Sequence, residues 1–93
     1  MVTVKVFATY RKLVDNQKEI ALDHPTPLTV GRALEIVFEA HPALRDEIVD
    51  AQGKILPHVS VFANGRDVRH KQGLDTELQE AETLSLFPPV AGG

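Results

Sequence analysis

The chain contains no cysteine, and that single absence removes disulfides, thiolate metal sites and cysteine nucleophiles together. A basic surplus is missing too: 10 Lys and Arg stand against 13 Asp and Glu, a formal net charge of −3, which argues against a dedicated nucleic-acid binder. No apolar run is long enough to span a bilayer. The sequence passes from Met1 straight into the alternation Val2-Thr3-Val4-Lys5, with no basic region followed by an apolar stretch, so this end does not read as an address and the cytoplasm is the expected compartment. Gly31, Gly53, Gly65, Gly73, Gly92 and Gly93 compose neither a G-x-x-x-x-G-K-[ST] loop nor a G-x-G-x-x-G turn, so any step that uses ATP needs a partner enzyme. His24, His41, His58 and His70 make no H-x-H or H-E-x-x-H spacing; they read as exposed or capping residues, and no metal is expected. Ser60 and Ser85 have no evident histidine and acid companions for a hydrolase. Asp46, Glu47 and Asp50 read as a solvated face.

What is present is enough apolar residue, 43% of 93 positions, to close one core in one soluble domain. Val2, Val4, Val6 and Ala8 alternate with Thr3, Lys5, Phe7 and Thr9, the period of a strand with two unlike faces. Asp15-Asn16 is a turn, and Gln17 to Asp23 a returning strand that His24-Pro25-Thr26-Pro27 stops. Thr29 is placed to cap a helix running to Ala40, with Val30, Ala33, Leu34 and Val37 at i, i+3, i+4 and i+7. Pro42 ends that helix. A short second turn follows over Ala43 to Asp50, with Leu44, Ile48 and Val49 tucked under it, and Ala51 to Lys54 is an exposed loop.

Farther on, His58 to Ala63 reads as a strand, Asn64-Gly65 as a type I′ hairpin turn, and Arg66 to Arg69 as the strand that pairs back. Thr83 to Phe87 is the last strand, with Leu84 and Leu86 inward and Leu78 packed beneath the preceding turn. A hairpin, a crossover helix on one face and a return into the same sheet describe an α+β domain. The opposite sheet face stays partly open. Phe7, Phe62 and Phe87 point that way and read as a docking surface. Arg66, Arg69, His70 and Lys71 form a local basic patch, which either steers an acidic partner or guards an exposed edge from pairing. No aromatics interleave with it in the manner of a single-strand nucleic-acid groove.

The chain is organised around its end, Phe87-Pro88-Pro89-Val90-Ala91-Gly92-Gly93. Pro88-Pro89 supplies no N–H to a sheet and starts the tail extended and stiff. Gly92-Gly93, lacking Cβ atoms, passes a narrow channel and adopts almost any φ/ψ within it. From Val90 to Gly93 an extended chain reaches roughly 13 Å, far enough to enter a partner's active site. The division is therefore residues 1–87 for the domain and 88–93 for the tail. A carboxylate is a poor acyl donor until adenylation turns it into a mixed anhydride that sulfide or an amine attacks.

These features give the sequence its resemblance to the ubiquitin-like sulfur carriers of the β-grasp fold, the family of the molybdopterin synthase small subunit (MoaD) and the thiamine carrier ThiS. It runs through Val4-Lys5-Val6-Phe7-Ala8, Val30-Gly31-Arg32-Ala33-Leu34, His41-Pro42-Ala43-Leu44, Val61-Phe62-Ala63-Asn64-Gly65 and, most specifically, Leu86 to Gly93. The resemblance implies a β-grasp (ubiquitin-like) fold: a mixed sheet of about five strands on one main helix, ending in a flexible Gly-Gly tail. It implies that an E1-like adenylating enzyme activates the carboxylate of Gly93 with ATP, and that a persulfide sulfur donor converts it to a thiocarboxylate. Phe87, Pro88, Pro89, Val90, Ala91 and Gly92 would form the partner-binding tail. The chain itself would bind no cofactor and would be a monomer when free, its catalytic side chains belonging to the partner.

The Phe87-Pro88-Pro89-Val90 sequence favours the MoaD-like branch, in which the carrier is the small subunit beside the large molybdopterin synthase subunit. Asp67-Val68-Arg69 followed by Gly73-Leu74-Asp75-Thr76 is similar instead to carriers of cysteine synthesis and to archaeal small modifiers. Sulfur donation to cysteine or tRNA thiolation pathways and attachment to target lysines are the corresponding alternatives. Gln79-Glu80-Ala81-Glu82 replaces the family's common acidic-Gly-Asp turn.

Overall fold

In β1 (Val2–Val6) the alternating valines are fully buried while Thr3 and Lys5 stay half-exposed on the other face. The computed structural model describes residues 1–89. Its further strands are β2 (Glu19–Leu22), β3 (Leu28–Thr29), β4 (Ser60–Ala63), β5 (Arg66–Asp67), β6 (Glu77–Leu78) and β7 (Thr83–Phe87), and its α-helices are α1 (Val30–Ala40) and α2 (Pro42–Ile48). Five strands form one sheet in the order β2-β1-β7-β4-β5. The central pair β1 and β7 is parallel, with Val4 opposite Leu84 and Val6 opposite Leu86, whereas the other pairs are antiparallel. A parallel pair requires a crossover, and the rest of the chain supplies it: α1 leaves the hairpin edge and packs on the face bearing Val2, Val4, Val6, Leu84 and Leu86. This is the β-grasp, ubiquitin-like arrangement.

Thr29 caps α1 as its type and place require. Its backbone is extended, and its Oγ1 accepts from the Arg32 N–H at 3.1 Å, a contact worth about 1 kcal/mol. Val30, Ala33, Leu34 and Val37 face the core. A Cβ on Gly31 would lie 3.3 Å from the Leu74 carbonyl oxygen, so the missing side chain lets the first helical turn sit close against the 3-10 segment Gly73–Asp75. Pro42 occupies the first turn of α2, where its lost N–H has no helical partner to satisfy. The short turn expected over Ala43 to Asp50 is thus a helix that begins one residue earlier. Val49 then bridges to Ile55. Asp50 Oδ1 accepts from the N–H groups of Gln52 and Lys54 at 2.8 and 3.0 Å, closing the exposed loop.

Three local features depart from the sequence reading. The first strand stops at Val6: Ala8 takes a left-handed φ of 53° and opens a 3-10 segment, Ala8–Val14, that turns Tyr10 and Val14 into the core. The strand that pairs back from Asn64-Gly65 is only Arg66–Asp67, because the Asp67 side chain accepts from the Arg69 N–H at 2.9 Å and bends the chain into a 3-10 turn burying Val68. His41, by contrast, fits the expectation of a capping residue: it closes α1 at the junction of the two helices, its N–H donating to the Val37 carbonyl at 2.8 Å, and its Nδ1 lies 4.0 Å from Asp15 Oδ2. Finally, β3 and β6 pair as a small second sheet with Leu28 opposite Leu78, both buried. Among the described residues no helix is long and apolar enough to cross a membrane.

Burial of Tyr10, and secondarily the Glu47 carboxylate, raises its phenol above the ordinary value of 10.0. The unfolded chain therefore loses this proton first. The stabilisation is complete below pH 10.0 and is lost as pH rises through the folded-state value. Tyr10 is the only tyrosine, so tyrosinate absorbance reports the group alone: alkaline unfolding of the parent should coincide with its ionisation, and Tyr10→Phe should flatten the dependence of stability on pH in that range.

Candidate functional site

Because β1 and β7 run parallel and in register, both leave the sheet at the same end. Phe7, just past β1, and Phe87, the last residue of β7, therefore emerge side by side. Their rings stack with centroids 4.3 Å apart and planes 14° from parallel. Phe62 comes from β4, on the other side of β7, where Ser60 pairs with Phe87 and Phe62 with Ser85. Its ring meets Phe87 edge-on, 5.5 Å between centroids at 69°. Phe87 is thus the middle member of an aromatic cluster that stays half-buried on the open sheet face. Each such pair contributes about 0.5–1.5 kcal/mol beyond its buried area, which holds the rings as a rigid plate.

Pro88 and Pro89 follow immediately. Neither belongs to a strand; Pro88 is half-buried and Pro89 exposed. Pro88 continues directly from the residue whose ring both other phenylalanines contact, so the tail's root is fixed by the cluster. Val90, Ala91, Gly92 and Gly93 lie outside the described residues. The remaining named positions, Phe7, Phe62, Phe87, Pro88 and Pro89, share one end of one face.

Arg11 also belongs here and was not singled out from sequence. The 3-10 segment folds it back so that Nε donates to the Val6 carbonyl oxygen at 2.9 Å, and its guanidinium carbon lies 5.7 Å from the Phe7 centroid. The residues of the sequence-level basic patch are differently placed. Arg69 donates from Nη2 to the Leu56 carbonyl at 2.6 Å and lies 3.9 Å from Asp67, so its charge is largely engaged within the fold.

The far end of β7 is locked by side chains. Asn64 Oδ1 accepts from the Thr83 N–H at 2.9 Å, the Asn64 N–H donates to the Thr83 carbonyl at 2.9 Å, and the Asn64 amide donates to Glu82. Glu82 also accepts from the Gln79 N–H at 2.6 Å. The departure from the acidic-Gly-Asp turn therefore keeps an acid at its end, but places Ala81 at φ 68°. A left-handed alanine is strained where glycine is not. Ala81→Gly should stabilise the domain by about 0.5–1 kcal/mol, a rise of a few degrees in unfolding temperature. Thermal unfolding by circular dichroism checks it.

A five-stranded mixed sheet packed on one main helix, with Pro88 and Pro89 following directly from its central strand β7, defines a ubiquitin-like β-grasp protein. The ThiS family model matches residues 4–93, and the chain belongs to that family of sulfur carriers. It is 38% identical over 90 residues to Small archaeal modifier protein 3 of Haloferax volcanii, covering 97% of this chain and 96% of the relative. The crystal structure of SAMP1 from the same organism aligns with a TM-score of 0.84 at 30% identity, over 99% of this chain and 98% of that one. A chain in the Amycolatopsis orientalis BexX/CysO complex aligns with a TM-score of 0.86 at 28% identity, over 100% of both.

Proposed function

We propose that this chain carries sulfur on the carboxylate of Gly93. In the first step a Gly93 carboxylate oxygen attacks the α-phosphorus of ATP on an E1-like adenylating enzyme, forming an acyl-adenylate and releasing pyrophosphate. A persulfide on the sulfur donor then attacks the acyl carbon; AMP leaves and an acyl disulfide forms. A thiol reductant cleaves that disulfide, leaving the thiocarboxylate on Gly93. No side chain of this domain needs to move a proton in these steps. Its part is to present the tail and to dock. The observation that carries the reading is the continuity of Pro88-Pro89 with the half-buried Phe7, Phe62 and Phe87 cluster on the open sheet face, which sets a recognition surface at the root of the reactive end.

The acceptor favoured by the Phe87-Pro88-Pro89-Val90 sequence is a pterin precursor held by the large molybdopterin synthase subunit, with this chain as the small subunit. A second reading is joined to the same activation step: attack on the acyl-adenylate by a target lysine, supported by the 38% identity to a small archaeal modifier protein. The likeness to a CysO-containing complex supports sulfur delivery toward cysteine as a third destination. The common step is tested by mixing the full chain with the adenylating enzyme of its own cells and ATP, then trapping with hydroxylamine. Pyrophosphate release that depends on the chain, with the hydroxamate located on Gly93, is expected. Release that does not depend on the chain would remove the proposal.

A further inference from the structure

Beside the aromatic plate lies a concavity of about 490 Å³ lined by Lys5, Phe7, Arg11, Lys18 and Glu19. Three cations face one carboxylate, a local sign opposite to the net charge of −3 on the whole chain. Glu19 is 3.9 Å from Lys5 Nζ, so the only acid is already partnered. Arg11 and Lys18 enter no ion pair among the described residues. Arg11 is oriented in advance: Nε is held by the Val6 carbonyl and the guanidinium lies over the edge of the plate against Phe7. Its terminal nitrogens are left to donate, and a planar donor pair fits a carboxylate in two parallel hydrogen bonds.

A small stacking ligand fits poorly. Phe7 already has Phe87 against it on one side and Arg11 above the ring. The walls come only from β1, the following 3-10 segment and the β2 edge, with nothing opposite to enclose a ligand. A broad acidic protein surface matches both the shape and the charge.

We infer that Arg11, flanked by Lys5 and Lys18, is the charge-reading residue of this docking surface and takes a carboxylate side chain of the protein that activates the tail. The inference rests on the proposed function and adds to it the sign of the partner's surface and the residue that reads it. Rigid aromatic and Arg anchors dominate binding energy at interfaces, while flanking cations act mainly on encounter. It also moves the steering role away from Arg66, Arg69, His70 and Lys71.

The experiment follows pyrophosphate release against concentration of the full chain, using the adenylating enzyme of its own cells. Arg11→Glu should raise KM by about 10- to 100-fold with kcat within about twofold of the parent, because a buried or anchored charge pair acts on complex lifetime. Arg11→Lys should fall between. Lys18→Glu, on an exposed side chain, should raise KM by a smaller factor and make it less dependent on salt. Lys71→Glu should leave KM unchanged. If Arg11→Glu unfolds, Lys18→Glu and the salt dependence decide. Parent-like KM in both glutamate variants overturns the inference while leaving the carrier function standing. Saturable binding of AMP alone that Arg11→Glu abolishes also overturns it, in favour of a small-anion site. Absence of any chain-dependent release from the parent removes the carrier function itself.

Discussion

Removing Gly92 and Gly93 should lower activation of the chain by its adenylating enzyme by at least about 100-fold, while its thermal unfolding stays where it is. The two effects separate because core and tail occupy different parts of the sequence. Among the described residues the hydrophobic core lies between Val2 and Leu86, and β7 ends at Phe87, so the deletion leaves every element of the described domain in place. It pulls the carboxylate back by roughly 7 Å of extended chain, and a misplacement of even about 1 Å can cost 100-fold in a positioned reaction. Gly93→Ala keeps the length and adds one methyl group. It should reduce turnover by about tenfold or more if the channel is narrow, through a lower kcat and not a higher KM. Equal rates for Gly93→Ala and the parent would show that the terminal glycine is not selected for its lack of a side chain.

The second large effect is expected at Phe87. Phe87→Ala takes away the ring that both Phe7 and Phe62 contact, and with it the rigidity of the plate. Removing such an aromatic anchor should raise KM for activation by roughly 30-fold or more. The domain itself should lose about 1–3 kcal/mol, less than a fully buried phenylalanine costs, since the ring is half-exposed in the free protein. Phe87→Leu should recover most of the stability and part of the binding. A parent-like KM for Phe87→Ala, measured well below the unfolding temperature, would exclude the aromatic face from docking.

Sequence pattern revealed the elements whose determinants are local. Thr29 and the i, i+3, i+4, i+7 spacing of Val30 to Val37 located α1, and its end before Pro42 followed from proline sterics. Asn64-Gly65 identified its own turn, since both residues have positive φ, 50° and 79°. Strand alternation also put Phe7, Phe62 and Phe87 on one face, because the parity of three separate strands had only to be counted. Their mutual stacking required the parallel pairing of β1 with β7, which joins residues at opposite ends of the chain.

What stayed hidden depends on single backbone or tertiary decisions. Nothing in Ala8 announces a positive φ, yet that one conformation ends β1, buries Tyr10 and returns Arg11 to the Phe7 ring. The β3–β6 pair is too short to show any period, and only the burial of Leu28 against Leu78 defines it. Asp67 was visible as a residue in a strand pattern but acts as a cap, so the strand ends where its side chain finds the Arg69 N–H. The basic surface followed the same course: a run of cations near residue 70 was conspicuous in sequence, whereas Lys5, Arg11 and Lys18 come together only after β1, the 3-10 segment and β2 have folded.

The most direct test of sulfur carriage is the intact mass of the protein gently isolated from its own cells, with the C-terminal fragment sequenced. The account predicts a species in which one terminal oxygen of Gly93 is replaced by sulfur and which reverts to carboxylate on hydrolysis. A carboxylate with no sulfur species, accompanied by the rest of the protein joined through Gly93 to lysines of larger proteins, would contradict it and make protein modification the function.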